Sequence, residues 1–240
     1  MARRGSPIPL EERKFRDRAP EDFFFPDLNP HLKSHFTWGR PVLPADVAGD
    51  CRGAWDEEFG RDAPLHVEIG TGNGFFLSGM AARNPEFNWL GVEIRYKRVM
   101  LTARKLRGAG VEGHARICRY DANHLGELFC AGDIDALYIN HPDPWPKDRQ
   151  AKNRLLGPDF VDLLTELLAP GAELRLKTDH LINVEGLLGA IEGRPFELLG
   201  RSDDVRSAGT PWGDDVVTNY QTKFYKKGLP VYAVQIRRKD

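Results

Sequence analysis

A glycine-rich segment has the composition of a ligand-binding turn. Residues 68 to 74 read Glu-Ile-Gly-Thr-Gly-Asn-Gly and follow a short apolar run. Glycine lets the backbone turn sharply and approach a ligand closely, which makes Gly70 and Gly72 candidate binding residues. A dinucleotide fingerprint needs a small third residue for close packing of helix on strand, and Phe75 occupies that position. The segment therefore indicates a nucleotide-like ligand other than a dinucleotide.

Acidic residues at three predicted strand ends narrow the identity of that ligand. Glu68 lies two residues before the first glycine, Glu93 ends the next strand, and Asp121 ends the third. A carboxylate at Glu93 can accept protons from both ribose hydroxyls. Asp121 with Ala122 can receive the exocyclic amine of an adenine, or Asp121 can cap the helix that follows. The sulfonium and amino groups of S-adenosylmethionine are cationic and favour a nearby acid. The constellation is therefore typical of a Rossmann-like class I methyltransferase.

A proline-rich corner follows the fourth predicted strand, where such a fold presents the transferred group to its acceptor. Residues 141 to 147 read His-Pro-Asp-Pro-Trp-Pro-Lys. Proline fixes its own φ angle and restricts the residue before it, so Asp143 is held in one orientation. That suits substrate positioning more than proton transfer. Trp145 offers an aromatic plane for a nucleobase or for packing of the corner itself. His141 has no catalytic or metal-ligand partner at a suitable spacing, which favours a structural role.

The elements that must position these residues alternate between strands and helices from residue 64 onward. Helices of about 10–15 residues between short strands are typical of βαβ units in a mostly parallel sheet, which binds ligands beyond the carboxyl ends of its strands. We therefore predict an α/β fold with a mostly parallel seven-stranded sheet and an antiparallel C-terminal strand. The domain is predicted to span residues 61–240. Pro170 and Gly171 are predicted to end a helix, and the last strand to form a hairpin with the sixth.

Residues 1–60 differ from the rest of the chain. They lack regular periodicity and contain closely spaced prolines, which predicts an irregular N-terminal arm with short helical pieces. Three consecutive phenylalanines followed by Pro26, at residues 23–26, are predicted to pack on the core domain or to shield part of the site.

Composition and charge exclude several classes of protein. No run approaches the roughly 20 apolar residues of a membrane span, and no signal-peptide core follows the start, so a cytoplasmic location is expected. The three cysteines, Cys51, Cys118 and Cys130, are scattered and indicate buried thiols rather than disulfides or a zinc site. No metal is predicted. The net charge of −1 does not indicate nucleic-acid binding, although basic residues cluster at 95–107 and 221–240.

Several motifs together resemble the bacterial tRNA (guanine-N7-)-methyltransferase family. They are VEIGTGNG at 67–74, GVEI at 91–94, DA at 121–122, PDPWPK at 142–147, TDH at 178–180 and TNYQTKF at 218–224. The PDPWPK motif followed by basic residues is the most specific of them, and the resemblance covers roughly residues 64–236. It implies S-adenosyl-L-methionine as the cofactor. It also implies tRNA as the substrate and a variable-loop guanosine, conventionally position 46, as the acceptor.

The resemblance also implies roles for individual residues. Cofactor-contact positions of the family fall on Glu68, Glu93, Asp121 and Asp143, and Asp143 falls on its presumed catalytic position as well. Substrate-contact positions fall on Lys147, Asp179, Thr218, Asn219, Tyr220 and Gln221. Guanine N7 already holds an in-plane lone pair, so the chemistry needs alignment rather than a strong base. A carboxylate such as Asp143 or Asp179 can accept the N1–H and N2–H donors of guanine, which adenine lacks as a pair.

Three departures from the family pattern keep other functions open. His141 replaces a usual aromatic residue, Gln150 a histidine, and Gln221 a carboxylate. A related methyltransferase with a different RNA or small-molecule acceptor is one alternative, and an RNA-binding module with weak catalysis is another. The intact acids Glu68, Glu93, Asp121 and Asp143 argue against the binding module. The size of Phe75 argues against an NAD-linked oxidoreductase. The sequence leaves open whether the protein is a monomer or a homodimer.

Overall fold

The computed structural model describes residues 5–17 and 30–240. Within these residues, the short apolar runs form strands, as predicted. The chain divides into two compact units, Met1–Cys130 and Ala131–Asp240. The phenylalanine patch at residues 23–26 lies outside the described residues.

The first unit contains two 3-10 turns, five helices and four strands among the described residues. The turns are Leu10–Glu12 and Ala122–Glu127. The helices are α1 (Pro30–Thr37), α2 (Ala45–Asp50), α3 (Trp55–Phe59), α4 (Phe75–Arg83) and α5 (Tyr96–Gly108), and the strands are β1 (Val42–Leu43), β2 (Leu65–Ile69), β3 (Asn88–Glu93) and β4 (Ala115–Arg119).

The strands of the first unit pair in parallel. Their order is β1-β4-β3-β2, with Glu68 of β2 opposite Gly91 of β3 and Glu93 of β3 opposite Arg119 of β4. Because the strands run in the same direction, their carboxyl ends meet at one edge of the sheet. The glycine-rich turn, Glu93 and the start of the Ala122–Glu127 turn therefore lie along that edge, as the sequence predicts.

The N-terminal arm contributes a strand that the sequence did not predict. Val42 and Leu43 pair with Ile117 and Cys118, so β1 is an addition to the seven predicted strands. Two residues are too few to show the alternation by which a strand is predicted from sequence. The arm also contains α1, α2 and α3, which agrees with the predicted short helical pieces. The domain boundary at residue 60 stays a prediction.

Helix α5 shows how the sequence covers the sheet of the first unit. Val99, Met100, Ala103 and Leu106 recur at helical spacing and are fully buried, whereas the basic residues of the helix lie mainly on its outer side. All three cysteines are buried thiols, as predicted. No helix among the described residues is long and apolar enough to cross a membrane.

The second unit contains strands that pair in both directions. Its elements are β5 (Ile134–Asn140), a 3-10 turn at Asp148–Asn153, α6 (Pro158–Leu167), β6 (Leu168–Thr178), α7 (Leu181–Ile191), β7 (Phe196–Ser202), α8 (Val205–Ala208), α9 (Asn219–Lys226) and β8 (Tyr232–Arg238). Strand β6 is parallel to β5, and β8 lies antiparallel between β6 and β7. The predicted antiparallel C-terminal strand is thus confirmed. Its predicted antiparallel pairing with the sixth predicted strand, which is β7, is confirmed as well, with α8 and α9 between the two strands in the chain.

The prediction that Pro170 and Gly171 end a helix is wrong. Helix α6 already ends at Leu167, and both residues lie within β6. The pairing of β5 with β6 shifts here, because Leu168 lies opposite Ile134 and the next pair is Glu173 with Ala136. Proline cannot donate to the strand ladder, so it is tolerated at an irregularity of this kind.

Candidate functional site

The glycine-rich turn has a backbone that only glycine adopts easily. Gly70 and Gly72 have φ angles of 74° and 55°, in the left-handed region. A Cβ added at either residue would meet nothing within 4 Å, so the turn is open on the side that a side chain would occupy. The Gly70 amide donates to the Val92 carbonyl at 2.8 Å, which fixes the start of the turn to strand β3. A ligand can therefore approach the backbone of both glycines closely.

Gly74, the last glycine of the segment, has a packing role that the sequence did not indicate. A Cβ at this position would lie 2.6 Å from the Cα of Thr102 on α5, so glycine here allows two helices to pack closely. Phe75, in contrast, is 44% exposed, and the Lys105 ammonium lies 3.9 Å from the centre of its ring. Phe75 therefore does not fill the contact between helix and strand. The size of Phe75 is therefore not the physical reason against a dinucleotide.

Glu93 is tied to the glycine-rich turn. Its carboxylate accepts the Gly72 amide at 3.1 Å through Oε2 and the Arg95 amide at 3.0 Å through Oε1. The side chain is buried, so these two bonds hold the carboxylate in one orientation. Each carboxylate oxygen has a second acceptor site. Glu93 can thus receive two ligand hydroxyls while it stabilises the turn.

Asp121 caps the 3-10 turn that follows it. Its Oδ1 accepts the Asn123 amide at 2.9 Å and the Asn123 side-chain nitrogen at 2.8 Å, which confirms the capping role. A ligand amine would therefore meet Oδ2 or the backbone of Ala122, and that role stays a prediction. Glu68 is buried within β2, one residue before the strand ends. Its contact with the cofactor also stays a prediction.

The proline corner of the second unit is held by backbone and side-chain contacts. His141 and Trp145 have φ angles of 52° and 41°, the left-handed values that side chains rarely adopt. The His141 amide donates to the Lys177 carbonyl at 2.7 Å, and the Asn183 side chain donates to the Pro142 carbonyl at 3.0 Å. Asp143, between the fixed prolines, is exposed. The corner is therefore rigid, with its carboxylate at the surface.

Asn183 also has a role that was not predicted from the sequence. It is buried on the largely apolar helix α7 and also donates to Thr178 Oγ1 at 3.0 Å. A lone amide on an apolar helix face needs a hydrogen-bond partner, and that signal could have identified it. Trp145 is partly buried, and the Arg154 guanidinium donates to its carbonyl at 3.1 Å. Both proposed roles of the indole ring stay open.

Asp179 lies between two histidines. His141 Nδ1 is 3.4 Å from Oδ1, and His180 Nε2 is 3.4 Å from Oδ2. Burial raises the cost of ionising Asp179, but the hydrogen bond from His141 and the backbone amide outweigh it, so the pKa of Asp179 is lowered from 3.8. The carboxylate is therefore ionised at neutral pH and acts only as an acceptor. His141 has the structural role that the sequence favours, because its ring is buried 5.3 Å from that of Phe224.

A buried lysine organises the last predicted substrate-contact segment. Lys177 Nζ donates to both carboxylate oxygens of Asp215, at 2.7 and 3.0 Å, to the Val216 carbonyl at 2.9 Å and to Gln221 Oε1 at 3.2 Å. Gln221 also forms a capping box with Thr218 at the start of α9. Glutamine can replace a carboxylate at position 221 because Asp215 supplies the negative charge that pairs with Lys177.

The predicted substrate residues differ in their exposure. Thr218 and Gln221 are buried and bonded within the chain, so only a rearrangement would bring them to a substrate. Tyr220 is 43% exposed, with the Lys223 ammonium 5.2 Å from the centre of its ring. Lys147 is exposed as well. Among the described residues, no group of three or more histidine, cysteine or acidic side chains could hold a metal ion.

Exchanging the charges around Lys177 tests this arrangement. We expect Asp215→Asn to lower the free energy of unfolding by about 3–5 kcal/mol, because it leaves a buried ammonium without its carboxylate. The double variant D215N/Q221E should recover part of that loss, since the glutamate introduced by the second substitution would return a carboxylate to Lys177. Urea unfolding measures both changes. Asp203→Asn, at an exposed ion pair, is the control and should change stability by less than about 1 kcal/mol. A double variant no more stable than D215N would contradict the arrangement.

The burial of His141 predicts a pH dependence of stability. Burial, more than the opposing pull of Asp179, lowers the pKa of His141 below its ordinary value of 6.5. Between that lowered pKa and 6.5 the unfolded chain binds more protons, so stability falls as the pH falls through this window. The stability of the wild type relative to His141→Phe should therefore decrease from pH 7.5 downward, as measured by urea unfolding at each pH. A difference that stays constant or increases would show that His141 is not buried as the neutral form.

Comparison with known proteins identifies the family. A sequence-family model described as "Putative methyltransferase" matches residues 62–234. A tRNA (guanine-N(7)-)-methyltransferase of Bacillus velezensis is 35% identical over 215 residues, which cover 86% of this chain and 97% of the relative. One from Streptococcus thermophilus is 34% identical over 88% of this chain and 95% of the relative. One from Listeria monocytogenes serotype 4b is 37% identical over 82% and 91%.

Solved structures agree on the fold. The 16S rRNA methyltransferase KamB superposes with a TM-score of 0.57 at 13% identity, over 78% of this chain and 93% of KamB. TrmN from Thermus thermophilus gives a TM-score of 0.52 at 19% identity, over 86% of this chain and 52% of TrmN. The α/β fold is therefore that of the class I methyltransferases. The chain belongs to the tRNA (guanine-N7-)-methyltransferase family.

Proposed function

We propose that the protein transfers a methyl group from S-adenosyl-L-methionine to N7 of a guanosine in tRNA, at position 46 of the variable loop. Family membership supports the reaction. The observation that carries the proposal is the row of groups at one edge of β2, β3 and β4, where an open glycine turn meets the fixed carboxylate of Glu93. A cytoplasmic location is part of the proposal, and the protein is expected to act as a monomer or a homodimer.

The groups at this edge fit the proposed cofactor. The open sides of Gly70 and Gly72 leave room for a ligand against the backbone, and the buried Glu93 carboxylate can accept two ribose hydroxyls. Asp121 and Ala122 follow the next strand, where they would receive the adenine amine. Glu68 would face the cationic end of the ligand. S-adenosyl-L-methionine supplies an electrophilic methyl group on its sulfonium sulfur.

The acceptor chemistry requires orientation rather than proton removal. N7 of neutral guanine carries an in-plane lone pair, so the protein has to hold the base in line with the methyl group and distinguish guanine from adenine. Asp143 is exposed on a rigid corner, and Asp179 is ionised and held by two histidines. Each is suited to accept the N1–H and N2–H donors of guanine. We propose Asp143 as the catalytic residue and Asp179 as a substrate-binding residue.

Exposed basic residues are suited to the RNA backbone. Lys147 ends the corner, and Arg149 and Lys152 follow it. Lys223, Lys226 and Lys227 lie on or just after α9. Phosphate contacts of this kind position RNA without reading its sequence. Tyr220, exposed beside Lys223, is suited to stack on a nucleobase. These groups support an RNA acceptor over a small molecule.

The structure weakens the argument for the alternative function, a methyltransferase with a different RNA or small-molecule acceptor. It was suggested by Gln150 and Gln221, but Gln221 is 1% exposed and bonded to Lys177, so the amide does not by itself change an acceptor contact. An RNA-binding module with weak catalysis remains the second alternative. A transfer assay with labelled S-adenosyl-L-methionine and unmodified tRNA, followed by borohydride–aniline cleavage, separates the three. Cleavage at guanosine 46 supports the proposal, transfer elsewhere supports another acceptor, and binding without transfer supports the module.

Asp143 is the residue whose removal should affect this reaction most. We expect Asp143→Ala to lower kcat for tRNA by about 10²-fold, because misplacement of the acceptor base by even 1 Å can cost that much. The Kd for S-adenosyl-L-methionine should rise as well, because Asp143 also falls on a cofactor-contact position of the family. Asp159→Ala, at an exposed acid in the first turn of α6, is the matched control and should leave kcat unchanged. Full activity of the Asp143 variant would exclude a catalytic role for this carboxylate.

A further inference from the structure

We propose that Asp17, in the N-terminal arm, is a positioning residue that holds the cofactor-binding ends of strands β3 and β4 in place. The inference rests on the proposed cofactor site and assigns a role to the arm. Asp17 lies outside the glycine-rich segment, the proline corner and the other family motifs, and nothing in the sequence around it indicates a functional residue. Its side chain is nevertheless 3% exposed and accepts four hydrogen bonds.

The four donors come from separate parts of the first unit. His35 Nε2 lies 2.8 Å and the Ala45 amide 2.7 Å from Oδ2. The Tyr96 hydroxyl lies 3.1 Å and the Arg119 guanidinium 3.0 Å from Oδ1. One carboxylate oxygen therefore binds groups of α1 and α2, and the other binds the groups that follow β3 and end β4.

Tyr96 and Arg119 connect Asp17 to the predicted cofactor residues. Tyr96 is three residues beyond Glu93, and Arg119 is two residues before Asp121. Glu93 and Arg119 are also partners in the pairing of β3 with β4. Arg119 in addition donates through Nε to the Ile94 carbonyl at 2.9 Å, so its guanidinium spans both strand ends. By fixing this guanidinium, Asp17 sets the spacing between the groups proposed to bind ribose and adenine.

The local environment keeps Asp17 charged. Burial opposes ionisation, but the contact with His35, the Ala45 amide and the hydrogen bond from Arg119 outweigh it and lower the pKa of Asp17 from 3.8. The Arg119 guanidinium lies between two rings, 4.9 Å from the centre of Phe15 and 4.2 Å from that of Tyr96. The arm thus supplies the carboxylate and one of the two aromatic faces that hold this guanidinium.

Other contacts also attach the arm, and they provide the control. Arg13 donates to Asp50 on α2 in an ion pair of 2.5 Å, and the amides of Lys14 and Phe15 donate to Glu127. The Arg13–Asp50 pair joins the start of the arm to the end of α2 and touches neither strand end. If the arm acts only as a general support, loss of Asp50 should have the same effect as loss of Asp17.

Cofactor binding to the full-length protein tests the proposal. We expect Asp17→Asn to raise the Kd for S-adenosyl-L-methionine about tenfold in isothermal titration calorimetry. The KM for S-adenosyl-L-methionine should rise as well, whereas the KM for tRNA should stay unchanged. Asp50→Asn should leave the cofactor Kd within about twofold of the wild type. Because Asp17→Asn removes a buried charge and can unfold the protein, Tyr96→Phe and Arg119→Lys are measured as well, and each should weaken cofactor binding with native circular dichroism.

The outcomes separate this inference from the proposed function. A wild-type protein that does not bind S-adenosyl-L-methionine would contradict the proposed cofactor. A wild type that binds, together with folded Tyr96→Phe and Arg119→Lys variants of unchanged cofactor Kd, would overturn the positioning role alone. Equal weakening by Asp17→Asn and Asp50→Asn would also overturn it, since the arm would then act only as a general support.

Discussion

Parallel pairing of β2, β3 and β4 is the constraint on which the candidate cofactor site depends. Parallel strands have their carboxyl ends at the same edge, so residues that are far apart in the chain are brought together there. The pairing of Glu93 with Arg119 fixes how far β3 extends relative to β4. The hydrogen bond from Gly72 to Glu93 then fixes the turn after β2 to the end of β3. An antiparallel arrangement would place these groups at opposite edges.

Buried ionisable groups set the geometry of both units. Each charge removed from water needs a partner, and the partners here come from distant segments. Asp17 joins the arm to two strand ends, and Lys177 joins β6 to the segment before α9. In both cases the buried pair supports an exposed or open group that is suited to bind a ligand. The chain therefore separates residues that hold the site from those that can contact a substrate.

A structural feature can be predicted from this sequence when it depends on residues that are close together in the chain. Apolar periodicity and glycine turns are local, so the strands, the turn at Gly70 and the strand-end acids could be predicted. Strand β1 is too short for a periodic signal, and the irregularity at Pro170 depends on a neighbouring strand. The contacts of Asp17 and the burial of Gln221 depend on side chains far away in the chain. Those contacts cannot be predicted from the residue types alone.

The proposed reaction requires that the protein methylate a ring nitrogen whose lone pair is already available. A tRNA transcript that carries 7-deazaguanosine at position 46 keeps the N1–H and N2–H donors but replaces N7 with carbon. The direct measurement is transfer of labelled methyl groups to this transcript and to the unmodified one, with the Kd of both measured in parallel. We expect equal binding and no transfer to the 7-deaza transcript. Methylation of that transcript at the level of the unmodified one would contradict the proposed reaction.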